Sequence, residues 1–279
     1  SMRGFKGVFE GIKKALPIFE SANIYPSVNL GINRNLGGDM TRQLSRRDFA
    51  TDQAYEDQVY STYCQAFSKF YETVIDMGFT IANACYPMSV DDSCTDLDPV
   101  YQASAVDHVI KFTPDEKHMI FKALRDTIPK YRGQIRIFSP QTSLHALVKD
   151  LSRETPVSYP CQGGINYFFV DAASGDTYPC GYRGQDNFGK FYQMNGTLPG
   201  TLDTDCRRCD WECFRDPSEL AGPLLDLLGN PVQIIRKIVD DPGHLALWAK
   251  DLLYYNACDY FNGRKPPRYS SMKRFSTGS

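Results

Sequence analysis

Five of the chain's nine cysteines fall between positions 161 and 213. They form two groups, Cys161 with Cys180, and Cys206-Arg-Arg-Cys209 followed by Cys213. Thiolates are soft ligands that hold zinc or iron–sulfur clusters, usually in fours. A pair two residues apart, as in Cys206 and Cys209, lets a tight backbone turn present both sulfurs to one centre. Cys213 adds a third thiolate one turn further on. Cys161 and Cys180 stand at the two ends of a predicted hairpin, so folding can bring them together. The spacing leaves zinc and iron–sulfur both open, although structural zinc sites more often show two such pairs and this chain has one.

The chain has 279 residues, 42% hydrophobic and 23% charged, with a net charge of −2. That length supports a sizeable core without disulfides. The charge balance argues against nucleic acid or an acidic membrane as partner. No apolar run approaches the roughly 20 residues of a membrane span, and the start Met2-Arg3-Gly4-Phe5-Lys6 leads into an amphipathic pattern rather than an export signal. A cytoplasmic location is expected, where thiols stay reduced and clustered cysteines serve metals.

The elements that must position these cysteines read as α/β. Apolar residues at helical spacing predict a helix over 5–21, with Pro17 shortening its last turn. A buried strand follows at 24–32, then a helix at 53–77 ended by Gly78, and a strand at 79–85. The stretch 89–112 carries Asp91, Asp92, Asp96 and Asp98, is irregular, and is long enough to suggest a lid or binding loop. Thr113-Pro114-Asp115-Glu116 is a capping box opening a helix to about Tyr131. A strand at 135–138 and a helix at 142–152 complete an alternation that predicts a parallel sheet, doubly wound or part of a barrel. Beyond Pro156 the pattern changes. Strands are expected at 165–171 and 177–180 around a Ser174-Gly175-Asp176 turn. Asp216-Pro217-Ser218-Glu219 reads as a second capping box, and Asn230-Pro231 and Asp241-Pro242 as helix starts. The basic, serine-rich tail 263–279 is expected to be disordered.

The cysteine spacing resembles that of radical S-adenosylmethionine (SAM) enzymes with a C-terminal SPASM or shortened twitch domain. Thirteen residues separate Cys161 from Gly175 and four separate Gly175 from Cys180, within Tyr178-Pro179-Cys180; Cys206 and Cys209 supply the CxxC. The full SPASM pattern then has cysteines after five and three residues, whereas here Cys213 follows after three. Cys258 resembles the late, isolated cysteine. With one cysteine missing, the resemblance implies one auxiliary [4Fe–4S] cluster, its four ligands drawn from Cys161, Cys180, Cys206, Cys209 and Cys213, the spare one left open. Residues 3–35 and 53–88 resemble the fourth helix to fifth strand, and fifth helix to sixth strand, of the family's barrel. The resemblance thus implies the second half of a partial (β/α) barrel over 1–155 and a small α+β cluster domain with C-terminal helices over 156–262. It also implies SAM contacts from the strand-end residues Asn29, Asn33 and Arg34, and a reductant such as flavodoxin or ferredoxin. The substrate would be a peptide, protein or small molecule. The CxxxCxxC that holds the SAM-cleaving cluster does not occur in this sequence. The chain is therefore expected to be the C-terminal part of a longer enzyme, or a degenerate, non-catalytic homologue. A zinc-stabilised binding module is the reading from another class.

Other candidates carry less. Cys64 and Cys85 read as small core residues, Cys94 as exposed. The histidines 108, 118, 145 and 244 lack metal-ligand spacing and read as ordinary. The acidic loop lacks the glycine and terminal glutamate of an EF-hand, and no phosphate-binding P-loop occurs. The aromatic run Tyr167, Phe168 and Phe169 reads as packing around the metal site. Arg183, three residues after Cys180, is expected to supply hydrogen bonds to an anionic cluster and raise its potential.

Overall fold

A computed structural model describes residues 7–88, 97–100, 109–152, 158–194, 206–229 and 231–277. Three strands, β1 (Ser27–Gly31), β2 (Ile81–Cys85) and β3 (Arg136–Ile137), form a parallel sheet in the order β1-β2-β3. Asn29 pairs in register with Asn83, and Ile81 with Arg136. Helix α1 (Val8–Ser21) precedes the strands, the short α2 (Asp39–Arg42), α3 (Asp52–Asp76) and α4 (Pro114–Tyr131) connect them, and α5 (Gln141–Leu151) follows. The fold is thus α/β, but the described residues form an open three-stranded sheet rather than a closed barrel.

The strands are shorter than their apolar runs, although the Ile32 and Phe138 N–H groups still donate to the carbonyls of Cys85 and Ala82. Pro17 lies inside α1, which nevertheless continues to Ser21. The Thr113–Glu116 capping box forms as expected, with Thr113 Oγ1 accepting from the Glu116 N–H and the Glu116 carboxylate accepting from the Thr113 N–H. Gly78, at φ +96°, turns the chain out of α3. Alternation along the strands sends Leu30, Ala82 and Ala84 to one face. There they pack with Val59, Tyr63, Phe67, Phe121 and Leu124 of α3 and α4.

The opposite face holds Asn29, Asn83, Arg136 and Phe138. Helix α8 (Pro242–Cys258) and the turn after it cover the β3 side of this face. Tyr254 Oη donates to the Ile135 carbonyl and accepts from the Ile137 N–H, so one phenol caps the outer edge of β3. Arg136 donates to the carbonyls of Asp259 and Asn262. The buried pair Arg132–Asp251, at 2.8 Å, fixes α8 against the end of α4.

The tail departs from expectation. Residues 263–277 pack against α8 and the end of α4, with a turn of helix, α9 (Tyr269–Met272), and both Met272 and Phe275 buried beside Tyr254 and Cys258. Thr277 N–H and Ser276 Oγ donate to the carbonyls of Pro129 and Lys130. Two apolar anchors suffice to hold a basic segment. No helix among the described residues is long and apolar enough to cross a membrane. The acidic-loop residues Asp91, Asp92, Cys94 and Asp96, and His108, lie outside the described residues.

Candidate metal centre

The second half of the chain is organised on α6 (Glu212–Gly229). It was expected to begin at Asp216, and instead starts a turn earlier. Asp216, Ser218 and Glu219 are interior residues whose side chains accept bonds from neighbouring elements, while Ser218 Oγ also donates to the Phe214 carbonyl of its own helix at 2.5 Å. Asp216 accepts from Ser143 Oγ at 2.6 Å and from Tyr86 Oη at 3.3 Å. Ser218 Oγ accepts from the Gln162 N–H, and Glu219 from the Tyr159 N–H, each at 2.9 Å. These two bonds clamp the segment carrying Cys161 onto α6. Arg215, buried between Asp150 and Glu219, ties α6 to α5. Gly222 lets the Tyr159 ring lie against the helix, since a Cβ there would stand 2.1 Å from it.

From this base the cysteines are delivered by turns. The Cys161 N–H donates to the Cys206 carbonyl at 2.9 Å, joining segments distant in sequence. A hairpin of β4 (Phe169–Val170) and β5 (Thr177–Tyr178), much shorter than the expected strands, returns the chain to Cys180. Gly175, at φ +75°, makes its turn. Tyr182, Trp211 and Phe214 pack as a small aromatic cluster, with Cys161, Cys180 and Cys209 against it.

Four thiols come together electrostatically. Burial pushes Cys161 up to about 11, and Cys206 and Cys180 add to the rise. Cys180 is likewise raised, first by burial and then by Cys206. Cys209 is raised well above its ordinary value by burial, with Cys161 and Cys180 contributing. Opposing these rises, backbone N–H groups point at the sulfurs. Gly163 N–H lies 3.3 Å from Cys161 Sγ, Tyr182 and Arg183 N–H groups serve Cys180, and the Trp211 N–H serves Cys209. In each case a donor comes from two residues beyond the cysteine, the place from which a turn stabilises thiolate charge. A Cβ on Gly163 would meet Pro179 O at 3.0 Å and Cys161 Sγ at 3.2 Å, so that turn needs glycine.

Cys213 stands apart. The residue is exposed overall but its sulfur is partly covered, and that burial followed by Glu212 raises the thiol to about 11. Its neighbours are the Glu212 carboxylate at 3.8 Å and Cys85 at the end of β2, which burial and then Glu212 push up to about 12. Cys258 is buried among Tyr254, Met272 and Phe275, far along the chain's other cluster. No three histidine, cysteine or acidic side chains among the described residues converge tightly enough to hold a single metal ion. The four thiols therefore stand wider than the ligands of one zinc, which all lie about 2.3 Å from a common point. The donor set itself, four partly covered sulfurs with N–H groups aimed at three of them, fits a thiolate-held cluster.

The remaining candidates are engaged elsewhere. Arg34 grips Glu116 through two bonds of 3.0 and 2.8 Å, donates to the Lys111 carbonyl, and stacks on Phe112 at 4.6 Å. Asn33 bonds its own turn, donating to Gly31 O and accepting from the Asn35 N–H. Asn29 accepts from Asn83 at 3.3 Å on the sheet's open face. The Arg183 guanidinium pairs with Asp186 at 2.7 Å, and it is the backbone N–H of Arg183 that bonds Cys180. Two histidines have carboxylate partners invisible to sequence spacing. His145 lies 2.7 Å from Asp241, and His244, buried, lies 3.0 Å from Glu219. No family model, curated protein or solved structure matches the chain.

Proposed function

We propose that the chain is the C-terminal part of a radical SAM enzyme, with Cys161, Cys180, Cys206 and Cys209 holding an auxiliary [4Fe–4S] cluster and Cys213 spare. The observation that carries this reading is the convergence of four thiols, three of them met by backbone N–H donors, on a module with little apolar core. A cubane binds each thiolate through a different iron, so it accommodates sulfurs set wider than one ion requires. When bound, such a cluster supplies an electron-transfer or substrate-binding centre. The chain's own residues do the rest. The N–H groups of Gly163, Tyr182, Arg183 and Trp211 offset the charge of the bound thiolates. Tyr182, Trp211 and Phe214 exclude water from one side. Arg183 and Arg215 add positive potential at Cys180 and Cys161 respectively. On this reading the parallel sheet is the later half of a barrel, and its open Asn29–Asn83 face looks toward the barrel interior. SAM, the reductant and the substrate belong to the intact enzyme.

A zinc-stabilised binding module is the second reading, favoured by the same four thiols if they draw together around one ion. Anaerobic reconstitution with iron and sulfide, followed by metal analysis, separates the two. About four irons per chain with broad visible absorption supports the cluster. One zinc and no retained iron supports the binding module.

A further inference from the structure

A cleft of about 770 Å3 opens between β3, α6, α8 and the turn after α8. Its size and apolar lining suit an organic molecule of moderate size. Aromatic rings dominate the wall: Phe138, Tyr167, Tyr255, Tyr260 and Phe261. Phe138 lies near-parallel to Tyr255, with centroids 5.7 Å apart, and Tyr260 and Phe261 meet edge to face at 5.2 Å. Two of the phenols are engaged by protein acceptors. Tyr255 Oη donates to the Phe138 carbonyl, and Tyr260 Oη to Asn83. Those two residues therefore offer the cleft ring surfaces rather than free hydroxyls. Its charged residues, Asp259 and Arg268, pair with each other at 3.2 Å and leave no net charge for an ionic ligand. Asn256 is exposed at the wall and presents a carboxamide, a donor and an acceptor side by side.

We propose that this cleft is a binding site for an uncharged, planar aromatic molecule carrying one amide-like hydrogen-bonding edge. Rings would stack or meet edge-on with the wall, and the edge would bond Asn256. A carboxylate or ammonium would lose its hydration without an unpaired counter-charge to replace it. No cysteine lines the cleft, so its occupancy is independent of the proposed cluster.

The test is ligand-observed NMR on the full chain, with 2-naphthamide as probe and 2-naphthoate and cyclohexanecarboxamide as comparators. Naphthamide is expected to bind at least tenfold more tightly than either comparator. Ala221→Trp, which fills the cleft from α6, should abolish binding, and circular dichroism checks its fold. Asn256→Leu, at an exposed position, should weaken naphthamide by about threefold to tenfold, the worth of one hydrogen bond. Equal binding of all three probes, or naphthamide binding unchanged in either folded variant, would overturn the proposal.

Discussion

The sheet half and the cysteine module are held by different physics. In the sheet half, Phe67, Ile120, Phe121, Leu124 and Ile128 are fully buried between strands and long helices. Helix α3 alone spans 25 residues. In the module, the regular structure among the described residues between Cys161 and Cys209 is two strands of two residues and a short turn of helix. Its buried aromatic core is Tyr182, Trp211 and Phe214. Apolar burial of that extent rarely suffices alone, and units that small usually recruit a metal or a disulfide. The contrast teaches that one half carries its own stability, while the other has little apolar core of its own and, on the proposed reading, takes its stability from the cluster.

Metal ligation should separate the halves most sharply. Cys209→Ser is expected to take iron from about four per chain to below about one, because a buried ligand is lost. It should also expose 158–210 to limited proteolysis while the sheet half resists. Cys213→Ser should keep its iron. Equal losses in the two variants would return Cys213 to the ligand set.

The core side of the comparison is tested by Phe121→Ala. Deleting a ring with 0% exposure should cost about 3–5 kcal/mol in chemical denaturation. Purified folded Phe121→Ala protein should still load iron in full, since the ring belongs to the sheet core and none of the four thiols packs in that cluster. The seam between the halves is next. Gly222→Ala would drive a Cβ to 2.1 Å from Tyr159, and overpacking of this kind costs about 1–3 kcal/mol. Because Tyr159 precedes Cys161 by two residues, this variant should lower both stability and iron retention. A stability loss with unchanged iron would mean that the seam and the centre are uncoupled.

Much of the sheet half was legible because its signals are local. The Thr113–Glu116 box and Gly78 depend on residues within one turn, and the apolar stripe of α3 lies in a single run. The Gly175 turn was legible for the same reason. What failed depended on partners far along the chain. Asp216-Pro217-Ser218-Glu219 has the composition of a helix start. Tyr86, Ser143, Gln162 and Tyr159 claim its side chains instead, and nothing nearby in sequence announces them. The separation of Cys213 from the other four cysteines rests on the Cys161–Cys206 backbone bond and on Glu212 beside Cys85. Spacing alone could not reveal either. The tail's two anchors, Met272 and Phe275, were masked by the lysines, arginines and serines around them.

The smallest expected effect lies where α5 meets the start of α8. Asp241 caps α8 by accepting from the His244 N–H at 3.1 Å, and bonds both Lys149 and His145 at 2.7 Å. Burial opposes its charge, but these partners outweigh burial and hold the carboxyl down to about 2. A carboxyl lowered on folding contributes stability above its unfolded value near 4, and that contribution is lost as pH falls from about 4 to about 2. Asp241→Asn keeps the cap but not the charge. At pH 7 it should cost about 1 kcal/mol, the scale of a charge-assisted bond partly open to water. Urea midpoints measured from pH 7 to pH 2 should converge for the two proteins at the acid end. Parallel curves would show that the aspartate's charge contributes nothing, leaving Asp241 as a cap alone. Convergence would establish this seam as an ionic joint between the self-sufficient sheet and the helices that carry the cysteine module.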